Sequence, residues 1–306
     1  MDNISIILYK ENAGNINLLS DIPVYLTNCS QHYFDGRLAI RGNVGTMKVN
    51  ITENSVKVAN SLTKFLLGNN LQMIKRLDIR HALEKLSDTL HLPMYKATVK
   101  KFEFGKNVEL RHDVSIYLNY LGNCGRYHRY PSQHGLNYKL NRREFVLYNK
   151  IAEMKQNREI LPEYYRGKNV LRIESRFKRA VCKHFNRHSL VAADLYNEAF
   201  YAVVNDKWLN DYNRIHKITE TELDMSEIKS KKQYEKLAVL SFIQSQGGEL
   251  AEIQRIDERL KKGELTKKQA FDLRLLIKKC TTLELQRREN DLIIELDEKV
   301  KEAVRY

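Results

Sequence analysis

The sequence predicts an α+β fold: a mostly antiparallel sheet with helices on one side, followed by an all-helical C-terminal region. Three observations predict it. Short apolar or alternating runs recur from Ile4 to Phe177. Helix-like stretches fall irregularly between these runs instead of after each one, which excludes a doubly wound sheet. Beyond residue 184 strand alternation gives way to helical spacing, punctuated by Gly247-Gly248 and Gly263. The expected division is a mixed domain over residues 1–184 and a helical domain over residues 185–306.

The elements follow in order. Ile4–Tyr9, Leu38–Arg41 and Met47–Ile51 read as strands, with Gly42–Gly45 as hairpin material between the last two. Ser55–Ala59 continues the pattern, and Leu62–Leu67 runs into the breaker Gly68-Asn69-Asn70. Ile74–Ile79 reads as a strand with an acid near its end. His81–Leu90 follows as an amphipathic helix carrying Leu83, Leu86 and Leu90 on one face, closed by Pro93. Tyr95–Phe104 reads as a half-exposed strand and Ser115–Leu121 as another. Gly122–Asn137 is too polar for a core element and reads as a loop. Glu144–Tyr148 is a short strand before a helix that starts near Ile151, and Val170–Phe177 is a strand again. Leu190–Val204, Glu220–Ser230, Lys232–Ser245, Leu250–Lys261, Lys267–Cys280 and Thr282–Val304 read as helices, with Glu222–Ile228 as the weakest stretch.

The 306 residues carry a net charge of +14, and the surplus is local. Residues 61–190 hold 26 basic and 11 acidic side chains; residues 1–60 hold five of each, and residues 191–306 hold 21 basic and 22 acidic. A localised surplus implies a surface for a polyanion, nucleic acid first. Cys29, Cys124, Cys182 and Cys280 form no CxxC pair, which argues against a disulfide scaffold and a four-thiolate zinc site. Met1–Lys10 reads as a first strand, not a signal peptide, and no apolar run is long enough to span a membrane. The expectation is a cytoplasmic protein.

There is no GxxxxGK[ST], HExxH or GxSxG motif, and no His-x-His pair. Three short segments remain: Arg76-Leu77-Asp78, Tyr148-Asn149-Lys150 and Arg172-Ile173-Glu174, each on or at the end of an expected strand. A strand running past Tyr148 puts Tyr148 and Lys150 on one face. Carboxylates from adjacent strands can hold a hard cation such as Mg²⁺ or Mn²⁺, which would polarise a phosphate. Each segment also has a plainer reading. Tyr148 is one of 17 tyrosines, Asp78 can cap the helix beginning near Arg80 or His81, and Glu174 can pair with Arg172 or Arg176.

Four stretches in order, Ser61–Asn70 (SLTKFLLGNN), Ile74–Ile79 (IKRLDI), Phe145–Glu153 (FVLYNKIAE) and Leu171–Lys178 (LRIESRFK), resemble the gene II/X replication proteins of filamentous phages and plasmids. The resemblance covers about residues 40–190 and thins over the helical part. It implies a rolling-circle initiator that nicks and rejoins single-stranded origin DNA through a 5′-phosphotyrosine, leaving a 3′ hydroxyl for polymerase. The Tyr-x-Lys motif of that family matches Tyr148 and Lys150, and its Arg-x-acid strand matches Arg172 and Glu174. Its Arg-Ile/Leu-Asp segment matches Arg76 and Asp78, with Lys101-Phe102-Glu103 as a looser match that makes Glu103 the substitute ligand. The implied cation is Mg²⁺ or Mn²⁺, held by Asp78 or Glu103 with Glu174. A phenol of pKa about 10 is a weak nucleophile at neutral pH, so the cation or Lys150 would activate it. A phosphotyrosine bond conserves the energy of the cut, so resealing needs no ATP, in line with the missing P-loop.

Other residues fit a DNA-binding role. Arg142 and Arg143 precede the tyrosine strand as backbone clamps. Arg126, Tyr127, His128, Arg129 and Tyr130 interleave cations and rings as single-stranded DNA requires, and Arg176 adds a further cation. His128 or His134 is a candidate third ligand. The helical part is a candidate contact for the origin duplex, a host helicase or polymerase, or a second copy. The rival readings are a relaxase-like mobilisation protein, a non-catalytic basic origin-binding protein and an RNA-binding protein.

Overall fold

The computed structural model describes residues 1–69, 71–218, 228–245, 248–281 and 290–305. Two compact units divide the chain. The first comprises Met1–Leu118, Cys124–Arg214 and Asp297–Tyr306; the second comprises Asn119–Asn123 and Ile215–Leu296. Residues 185–214 therefore belong with the sheet.

Among the described residues the first unit is built on a ten-stranded sheet. Its strands are β1 (Asn3–Tyr9), β2 (Thr27–Phe34), β3 (Arg37–Val44), β4 (Met47–Thr52), β5 (Ser55–Ser61), β6 (Thr98–Leu110), β8 (His128–Ser132), β9 (Gly135–Leu140), β10 (Arg143–Asn149) and β11 (Asn169–Phe177). The spatial order is β2-β3-β4-β5-β1-β6-β11-β10-β9-β8, and every neighbouring pair is antiparallel. The β2–β3 turn is Asp35-Gly36, both at positive φ, as a two-residue hairpin of this hand requires.

The helices of this unit are α1 (Leu18–Asp21), α2 (Leu62–Leu67), α3 (Arg76–Leu90), α4 (Val114–Asn119, whose last residue falls in the second unit), α5 (Lys150–Gln156) and α6 (Glu198–Asn213). One face of the sheet is apolar, and α6 covers part of it. Phe200 packs on Phe102, Tyr201 meets Phe104 edge-on, and Trp208 Nε1 donates to the Ile173 carbonyl at 3.0 Å. The second unit holds the short pair β7 (Leu121–Cys124) and β12 (Ile215–Lys217). It also holds α7 (Lys231–Ser245), α8 (Gly248–Lys261) and α9 (Lys267–Thr281), packed around Ile243, Ile256, Ala270 and Ile277. Helix α10 (Asp291–Arg305) runs from the second unit's residues into the first's.

The fold class is the one expected, and several elements differ. The run Ile74–Ile79 is not a strand: α3 starts at Arg76, because Ile79, Ala82, Leu83, Leu86 and Leu90 form one buried helical stripe. Ser115–Leu121 is mainly helix α4, with Val114, Tyr117 and Leu118 buried at helical spacing. The expected loop 122–137 contains β7, β8 and the start of β9. Its polar residues alternate with Leu136 and Tyr138, which reach the apolar face. Leu190–Val204 opens as a 3-10 turn over Ala192–Tyr196 and becomes helical at Glu198. Most of Glu220–Ser230 and the start of Thr282–Val304 lie outside the described residues. Among the described residues no helix is long and apolar enough to cross a membrane.

Candidate active site

The register of three strands assembles the site. Tyr148 pairs with Arg172, Val146 with Glu174 and Glu144 with Arg176 across β10 and β11. Gly135, Asn137 and Lys139 of β9 stand opposite Tyr148, Val146 and Glu144. Glu103, Gly105 and Asn107 of β6 stand opposite Arg176, Glu174 and Arg172. Because side chains alternate, all these residues share the face opposite Ile173, Phe177 and Trp208.

Glu174 is the centre of this face and almost fully buried. The Tyr148 hydroxyl donates to its Oε1 at 3.0 Å. Arg172 Nε donates to the same oxygen at 2.9 Å, and Arg176 donates to Oε2 from Nε at 3.0 Å and Nη2 at 2.7 Å. Arg172 also reaches Asn107 Oδ1 at 3.1 Å and Asp2 Oδ2 at 3.2 Å. Burial pushes the Glu174 carboxyl up, but Arg172 and Arg176 outweigh it and hold the group down at about 2. Burial, followed by the Glu174 charge, raises the Tyr148 phenol well above its ordinary value. The resting tyrosine is therefore protonated and oriented.

Two glycines make room for this cluster. A Cβ at Gly135 would collide with the Leu147 carbonyl oxygen and stand 2.8 Å from Tyr148 Cβ. A Cβ at Gly105 would stand 2.7 Å from Glu174 Cγ and 3.0 Å from Arg172 Nε. Above Tyr148 the sheet opens into a groove of about 340 Å³ whose lining includes His134, Asn137, Glu153, Gln156 and Arg176.

The other expected residues are distributed differently. Lys150 does not extend the strand beside Tyr148, because β10 ends at Asn149, which caps α5 by accepting from Ala152 N. Lys150 is 1% exposed and paired with Glu153 Oε2 at 2.7 Å. Asp78 lies in the first turn of α3, where its Oδ2 accepts from Lys75 N at 2.7 Å, so the capping alternative is the one observed. Arg76 donates to the Tyr196 carbonyl at 3.1 Å. Glu103 shares the site's face but is held by Lys101 Nζ at 2.7 Å and Asn3 Nδ2 at 2.6 Å.

Among the basic and aromatic residues, Arg143 is buried with Asp211 on the opposite face, and the Tyr127 hydroxyl donates to the same carboxylate at 3.3 Å. Arg129 pairs in register with Tyr138, also on that face. His128 and Tyr130 stand opposite Lys139 and Asn137, on the Tyr148 face, and both are exposed. Arg126 and Arg142 are exposed in turns. The β9 residues Gly135, Asn137 and Lys139 and the β6 pair Gly105 and Asn107 were not anticipated. The alternation Gly-Leu-Asn-Tyr-Lys over residues 135–139 carried that signal.

The carboxylates do not fit a divalent cation in this arrangement. A carboxylate offers about four lone-pair positions, and Glu174 receives four donors from Tyr148, Arg172 and Arg176. Asp78 and Glu103 are committed elsewhere. Among the described residues no group of three or more His, Cys, Asp and Glu side chains is placed to hold a metal.

The family model described as the N-terminal region of the replication-associated gene II protein (Phage_CRI) matches residues 9–199, which span the sheet strands and the candidate site. No curated protein matches the chain significantly. That match covers more than half of the 306 residues: the chain belongs to this family of phage replication-associated proteins and is a rolling-circle replication initiator with a nicking and strand-transfer role.

Proposed function

We propose that Tyr148 is the nucleophile of this initiator and that Glu174, Arg172 and Arg176 position it. One observation carries the reading: a tyrosine hydroxyl in an open groove, hydrogen-bonded to a buried carboxylate that two arginines clamp. The Tyr148 oxygen bonds to phosphorus as the bond from phosphorus to the 3′ oxygen breaks. The DNA 5′ end remains on the tyrosine, and the phenolic proton is balanced by protonation of the released 3′ oxygen.

Arg176 lines the groove and its guanidinium is always charged, so it can neutralise charge growing on the phosphate oxygens. Arg172 is buried behind it and acts through Glu174 and Asp2. The reverse step rejoins the ends without ATP. No step is routed through Mg²⁺ or Mn²⁺, because the acidic side chains are occupied as described. Exposed Tyr130, with Lys139 Nζ 5.2 Å from its ring centre, and His128 on the same face supply stacking and cationic contacts for single-stranded DNA beside the groove.

The test is a covalent-adduct assay with a labelled single-stranded origin. Wild type should form a protein–DNA adduct, and Tyr148→Phe should lose it while still binding DNA. A full yield of adduct in Tyr148→Phe would overturn the assignment, and DNA binding by wild type without any adduct would favour a binding-only protein.

A further inference from the structure

The face that carries Tyr148 continues across the sheet to its far half. Ser5 of β1 pairs with Lys101 of β6, the neighbour in alternation of Glu103, and with Ala59 of β5. Ala59 and Lys57 stand opposite Lys48 and Asn50 of β4, which in turn stand opposite Asn43 and Arg41 of β3. Alternation therefore places Arg41, Lys48 and Lys57 on the same side of the sheet as Arg176 and Tyr148.

These three cations surround an open groove of about 520 Å³, whose other polar lining is Asn28, Asn43 and Asn50. The lining contains no carboxylate, although residues 1–60 as a whole are neutral. Arg41, Lys48 and Lys57 are all exposed, and Arg41 Nε is steadied by Asn50 Oδ1 at 3.3 Å. Flexible cations and amides around a shallow trough suit the phosphates of an extended polyanion better than a small apolar ligand. Five strand steps separate β4 from β10, or roughly 24 Å at the usual strand spacing.

We infer that the Arg41–Lys48–Lys57 groove is a second, sequence-independent phosphate-binding tract, gripping the same DNA strand on one flank of the Tyr148 groove. The inference rests on the reading of this face as a DNA surface and adds a site to it.

The test uses full-length protein carrying Tyr148→Phe, so that binding is measured without covalent capture. Affinity for a labelled 30-nucleotide single strand is followed against salt, with and without Lys48→Ala/Lys57→Ala. Removing two phosphate contacts should weaken binding about tenfold at low salt and flatten the slope of log K against log salt by about 1.4. Lys48→Arg/Lys57→Arg should keep both the affinity and the slope. A strand of about five nucleotides, too short to span the two grooves, should bind both proteins alike.

An unchanged slope in Lys48→Ala/Lys57→Ala and in Lys48→Glu/Lys57→Glu, with unchanged melting temperatures, would overturn the inference whatever the adduct assay shows. Tighter, equally lysine-dependent binding of RNA of the same sequence would overturn the assignment to DNA. A lost slope in a protein whose wild type forms no adduct would leave this groove standing and remove the nicking reading instead.

Discussion

The Tyr148 hydroxyl and the Glu174 carboxylate meet at 3.0 Å across a diagonal of two antiparallel strands, since Tyr148 is in register with Arg172 and Glu174 with Val146. The diagonal leaves Glu174 open to Arg172 and Arg176 on its own strand, two residues away on either side. One carboxylate thereby orders the phenol and both guanidiniums.

That arrangement makes stability sensitive to acid. The Glu174 carboxyl lies at about 2 in the folded protein, below its ordinary 4.5. A depressed acid contributes stability that is fully present above the ordinary value and is lost as pH falls through the folded one. Wild type should therefore lose stability between about pH 4.5 and pH 2, and Glu174→Gln should be less stable at neutral pH and flatter across that interval. Urea melts at a series of pH values measure this; parallel curves for the two proteins would disprove the coupling.

Gly135 and Gly105 are expected to be intolerant of alanine. Each new Cβ meets backbone or packed side-chain atoms at less than van der Waals distance. Gly135→Ala should cost about 1–3 kcal/mol and reduce adduct formation more than DNA binding, because the displaced atoms belong to Leu147 and Tyr148. Denaturant titration together with the adduct assay separates the two effects.

Asp78→Ala should act as a helix-cap change. The loss of its bond to Lys75 N should lower stability by about 1 kcal/mol. Mn²⁺ affinity, measured by calorimetry, should be the same in Asp78→Ala as in wild type. A specific loss of Mn²⁺ binding would restore Asp78 as a ligand.

Neighbouring arginines should behave oppositely. Arg143→Ala leaves the buried Asp211 carboxylate without its ion pair and should destabilise by about 3–5 kcal/mol. Arg142 is exposed in the turn before β10, so Arg142→Ala should stay within about 0.5 kcal/mol of wild type. Equal effects would contradict the face assignment of β10.

Much of the site's core was legible from short-range pattern. Alternation in Leu-Arg-Ile-Glu-Ser-Arg-Phe puts Arg172, Glu174 and Arg176 on one side of a strand, and Glu174 pairs with both arginines as its sequence neighbours suggested. The same logic misread Arg76-Leu77-Asp78. Those residues are compatible with a strand end or a helix start, and the buried stripe from Ile79 to Leu90 settled the matter as helix. It also misplaced Lys150, because Asn149 caps a helix at the point where the strand was expected to run on.

The sequence by itself determined the α+β class, the mid-chain charge surplus, the family and the individual strands that carry Tyr148 and Glu174. Those properties reside in local periodicity, composition and motif order, which need no partner segment. The tertiary structure decided which strands are neighbours. Strand pairing joins residues far apart in the chain through backbone hydrogen bonds that are the same for every side chain. Only that pairing sets Gly135 beside Tyr148, places Asp2 on Arg172, turns Arg143 toward Asp211, and gathers Arg41, Lys48 and Lys57 from a charge-neutral segment into one basic groove.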